Sequence, residues 1–79
     1  MKIEIIDKNI ALAYKNRKLI DEYFHGNDNN IHNDLVNFIM LKLPPAMDLS
    51  KMTYTGFNFL MTKYYLQYMI SIIWDVLYA

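Results

Sequence analysis

The stretch from Phe57 to Ala79 sets the tightest limit on what this chain can fold into. Seventeen of its 23 residues are apolar, seven of the chain's twelve aromatic side chains lie in it, and its only charges are Lys63 and Asp75. It holds neither Gly nor Pro, so nothing in it breaks a helix. A helix of that length spans about 35 Å, enough to cross the hydrocarbon core of a bilayer. Its longest uncharged run, Tyr64 to Trp74, is eleven residues, where a spanning helix needs roughly 18. Asn58, Gln67 and Ser71 also interrupt the apolar surface. The segment is therefore expected to be a water-facing amphipathic helix. A membrane anchor, with Lys63 snorkelling to the interface, is the alternative.

On a helical wheel, Tyr65, Leu66, Met69, Ile72, Ile73, Val76 and Leu77 fall within about 140° and are expected to form the core face. The other side carries Tyr64, Gln67, Ser71, Trp74 and Tyr78, spaced 3, 4, 3 and 4. Tyr and Trp combine an apolar body with a polar tip and sit well against either water or a partner. These five residues are the candidate partner-binding row.

Upstream, Asp7 can cap a helix running to Phe24, with Leu12, Ala13, Leu19, Ile20, Tyr23 and Phe24 on one face and Lys15, Lys18 and Glu22 turned away. Asn16 falls inside the apolar arc, either reaching water at its edge or buried as an amide that sets register. Residues 25–30, His-Gly-Asn-Asp-Asn-Asn, are turn formers, with Gly26 suited to the position just past a helix end. A second helix is expected over Ile31–Leu43, with Ile31, Leu35, Phe38 and Ile39 inward and Asn33, Asp34 and Asn37 outward. Pro44 ends it, and residues 43–47 form an extended corner. Asp48 or Ser50 can cap the third helix, whose start is as late as Thr55 if the weak helix formers before it stay outside.

The expected fold is all-α, a single small helical domain in which an amphipathic hairpin packs on a long aromatic-rich C-terminal helix. The alternation of Ile3 and Ile5 with Lys2 and Glu4 has the period of a strand. If residues 51–55 were also extended, the fold would become α+β with a ribbon of residues 2–6 and 51–55. Helices of about 26 and 20 Å can cover one side of the long helix but not both. An aromatic face then stays open for a protein partner or a second copy.

Seventy-nine residues leave no room for a cofactor domain beside a substrate domain. The absence of cysteine removes disulfide frameworks and thiolate zinc sites and suits a cytoplasmic setting. Charges at positions 2, 4 and 7 break any export-signal core, and zero net charge argues against a strongly basic nucleic-acid binder. Ile, Asn, Lys and Tyr make up 32 residues, a usage that points to an AT-rich genome. His25, His32, Asp28 and Asp34 surround a polar loop, but their spacing does not match a known metal loop. Asp21 and Glu22, adjacent in sequence, point about 100° apart on a helix and do not converge on a substrate. Lys8, Lys15, Arg17 and Lys18 give the first helix a basic bias, which Asp21 and Glu22 offset as i,i+4 partners of Arg17 and Lys18. The expectation is a non-enzymatic regulator, inhibitor or adaptor without metal or cofactor, with a membrane-associated protein as runner-up and a nucleic-acid binder third.

Overall fold

The computed structural model describes the backbone of residues 2–25 and 29–78 and the side chains of residues 8–25 and 31–78. Three helices follow one another: α1 (Lys2–Tyr23), α2 (Asn29–Lys42) and α3 (Tyr54–Tyr78), with a short 3-10 turn at Leu49–Lys51 before α3. No strand occurs among the described residues. The ribbon alternative fails because residues 51–55 close the 3-10 turn and open α3, leaving residues 2–6 without a ladder partner. Their backbone groups are then satisfied locally, inside a helix. Asp7 accordingly lies within α1 rather than capping it, and α1, at about 33 Å, is longer than the sequence spacing predicts. Gly26 and Asp28 lie outside the described residues.

Helix α1 closes with the Phe24 N–H donating to the Ile20 carbonyl at 3.1 Å and the His25 N–H to the Glu22 carbonyl at 3.2 Å. Helix α2 starts at Asn29, two residues before the expected Ile31, and stops at Lys42, because Pro44 pushes Leu43 out of the helical region. Lys42 sits in the last turn, where a cation favours the helix end, with Nζ 5.2 Å from the centre of the Phe38 ring.

Asp48 caps the 3-10 turn rather than α3, its carboxylate accepting from the Ser50 N–H at 3.0 Å and the Ser50 hydroxyl at 2.6 Å. The cap of α3 is Thr53, whose Oγ1 accepts from the Gly56 N–H at 3.1 Å and whose carbonyl accepts from the Phe57 N–H at 2.9 Å.

Arg17 donates to Asn37 Oδ1 at 2.7 Å, and Asp21 meets His32. As α1 positions rise, α2 positions fall, so the two helices form an antiparallel hairpin. Arg17 and Asp21 thus reach across to α2 instead of pairing along α1 as the i,i+4 spacing predicts. Helix α3 begins beside the end of α1, where Tyr23 meets Phe57 edge-on at 5.4 Å and bonds Asn58. It then crosses the hairpin, stacking Tyr65 on Phe24 at 5.8 Å and setting Tyr68 against Phe38 of α2 at 5.5 Å.

The core is Ile20, Phe24, Leu35, Val36, Ile39, Leu49, Met61 and Tyr68, drawn from all three helices and the connector. Asn16 lies among these side chains, 5% exposed. Its Nδ2 donates to the Met47 carbonyl at 2.8 Å and its Oδ1 accepts from the Leu49 N–H at 3.0 Å. Of the two readings of Asn16, the buried amide is the one observed, and what it fixes is the connector between α2 and α3.

Candidate protein-interaction surface

Helix α3 buries Met61 and Tyr68, with Phe57, Leu60, Tyr64, Tyr65, Met69 and Ile72 packed beside them. Spacings of three and four place these residues on one face directed at the hairpin. Only part of the expected core face follows: Tyr65, Met69 and Ile72 pack inward, whereas Leu66, Ile73, Val76 and Leu77 are exposed. The discrepancy has a geometric cause. Because α3 crosses the hairpin and then runs past α2, every described residue after Ile72 is exposed whatever its position on the wheel.

The five residues of the expected partner-binding row are split by the same geometry. Tyr64 packs against the core and Gln67 is half-buried, while Ser71, Trp74 and Tyr78 are exposed. Trp74 and Tyr78 lie one turn apart with ring centres at 4.4 Å and planes tilted by 36°, an aromatic pair on the overhanging end of the helix.

Sequence reasoning missed the outer face of α3. Leu66, Ile70, Ile73 and Leu77 recur at 4, 3 and 4 residues, and all four are between 55% and 70% exposed. Phe59, one heptad before Leu66, extends the strip and is exposed as well. On the wheel this strip lies about 160° from the Phe57, Met61, Tyr68 and Ile72 face. Helix α3 is thus apolar on two opposed sides, one against the hairpin and one bare. The heptad spacing is a usable signal, but three of its members, Leu66, Ile73 and Leu77, fall on the expected core face.

The electrostatics of the surroundings are local. The Asp48 carboxyl is held below the ordinary carboxylate range by its bond from the Ser50 hydroxyl and by Lys15, whose Nζ lies 3.0 Å from Oδ2. Burial pushes the Tyr68 hydroxyl up, and the charge of Asp34 adds to the shift. Among the described residues no three His, Cys, Asp or Glu side chains come together as metal ligands. His25 and Asp34 are exposed, and His32 is engaged with Asp21. No helix among the described residues is long and apolar enough to cross a membrane.

Compared with protein-family models, with curated proteins and with solved structures, the chain matches none.

Proposed function

We propose that this protein is a non-enzymatic interaction module, a small regulator, inhibitor or adaptor that acts by stoichiometric binding through the outer side of α3. The observation that carries the reading is the bare apolar surface of that helix. Leu66, Ile70, Ile73 and Leu77, joined on the overhang by Trp74, Val76 and Tyr78, leave more contiguous apolar surface open than water-facing monomers usually tolerate. Trp and Tyr are among the side chains that most often anchor an interface. The cysteine-free composition fits a cytoplasmic setting for this activity.

The test compares the wild-type chain with an Ile73→Glu, Leu77→Glu variant, both changes lying on exposed positions of α3. The wild type is expected either to associate with itself or to retain a specific protein from its host extract, and the variant is expected to lose that association with its helical circular dichroism unchanged. Failure of the wild type to associate with anything that the variant loses would overturn the reading.

A further inference from the structure

Resting on that reading, we propose that the occupant of the outer strip is a second copy of this chain, the two α3 helices lying antiparallel about a two-fold axis. The strip has the 4-3-4 spacing of a coiled-coil seam, and it is self-complementary. In the antiparallel register Leu66 faces Leu77 and Ile70 faces Ile73, so four aliphatic side chains of one copy meet the same four of the other. Because the strip lies on the far side of α3 from the hairpin, both hairpins stay outside the contact and do not obstruct it.

Charge selects the direction. Lys63 is exposed and continues the strip three residues before Leu66. Two parallel helices would set Lys63 against Lys63 at the same level of the seam, and like charges placed face to face oppose association. The antiparallel register instead carries the two Lys63 side chains to opposite ends of the seam and removes that repulsion.

The area is sufficient for a reversible dimer. Four aliphatic side chains more than half exposed on each copy, flanked by Trp74, give a contact on the order of 1,000 Å², at the lower end of specific interfaces. A contact of this size suits a dimer that forms and dissociates reversibly rather than an obligate one.

Sedimentation equilibrium across concentration, combined with cysteine cross-linking, tests the proposal. The chain has no native cysteine, so Leu66→Cys and Leu77→Cys can be made singly. Mixed and mildly oxidised, the two variants are expected to give a cross-linked heterodimer, with little product from either alone. Wild type is expected to be a dimer at micromolar concentration that dissociates on dilution. Leu77→Glu, at a position without packing contacts to the core, is expected to be monomeric and still helical.

Cross-linking of each single variant with itself, with none gained on mixing, would mean a parallel pair and overturn the proposal. So would a wild type that stays monomeric to millimolar concentration. If that monomer still retained a foreign protein, or bound phospholipid vesicles, in a way that Ile73→Glu abolished, self-pairing would be wrong. Retention of a foreign protein would leave the interaction reading standing, whereas vesicle binding alone, or no association of any kind, would remove both.

Discussion

Thirty-three residues apart in sequence, Asn16 and Leu49 are joined by a hydrogen bond of 3.0 Å from the Leu49 N–H to the Asn16 side-chain oxygen. The other end of the same amide donates to the Met47 carbonyl, so one side chain satisfies two backbone groups of a connector that has no regular ladder of its own. Beside it, Lys15 holds Asp48. These contacts bind the chain between α2 and α3 to the side of α1 and thereby set where α3 begins its crossing.

Asn16→Ala should destabilise the fold by about 2 to 3 kcal/mol, since it leaves the Leu49 N–H and the Met47 carbonyl with their desolvation cost and no partner. Urea unfolding followed by circular dichroism measures this. A loss below about 0.5 kcal/mol would show that water replaces both bonds and that the amide does not hold the connector.

Asp48 makes stability depend on acid. Its folded pKa is depressed by Ser50 and Lys15, so in acid the unfolded state takes up the proton first. The contribution is therefore complete above the ordinary carboxylate pKa near 4 and is lost as pH falls through the lower folded value. Asp48→Asn should show a shallower fall in thermal midpoint between about pH 5 and pH 2. Identical slopes for the two proteins would remove Asp48 from the acid response.

Within α3, Met61→Ala and Trp74→Ala separate core from surface. Met61 is fully buried, and its truncation should cost about 2 to 5 kcal/mol through lost transfer energy and the cavity left behind. Trp74 is 60% exposed and touches Tyr78, so its truncation should change unfolding by no more than about 0.5 kcal/mol under conditions where the chain is monomeric. Denaturation at several protein concentrations is required, because association adds to apparent stability. Equal losses for both variants in the monomer would place Trp74 in the core.

Thr53→Ala should cost about 1 kcal/mol, the usual effect of removing an N-cap. The sequence spacing instead assigns capping to Asp48 or Ser50, and Ser50→Ala, which leaves the first turn of α3 intact, should cost less. Thermal unfolding of the pair checks the order, and a larger effect at Ser50 would contradict the observed cap.

Helix existence was legible from local chemistry. A run without Gly or Pro, a 3.6-residue apolar period on α2 and the Leu43-Pro44 stop are decided by neighbours within a turn or two, and these features lie close to where the sequence puts them. Leu35 and Ile39 were identifiable as core for the same reason: α2 is short, amphipathic and covered along its length. The start of α1 was less legible, because the alternation of Ile3 and Ile5 fits a strand until the pairing partner is known to be absent.

The surface of α3 depended on something no local pattern contains. Its sequence is apolar on nearly every side, so periodicity alone leaves the inward face unresolved. The choice falls to where the connector releases the chain and at what angle α3 then crosses the hairpin. Local composition thus determined that residues 57–78 would be a long, sparsely charged helix needing cover. Burial, by contrast, is a property of two surfaces in contact, and the second surface is built by residues such as Phe24 and Phe38, which meet Tyr65 and Tyr68 of α3 from far away in the sequence. Those contacts turn Met61 and Tyr68 inward and leave Leu66, Ile70, Ile73 and Leu77 bare.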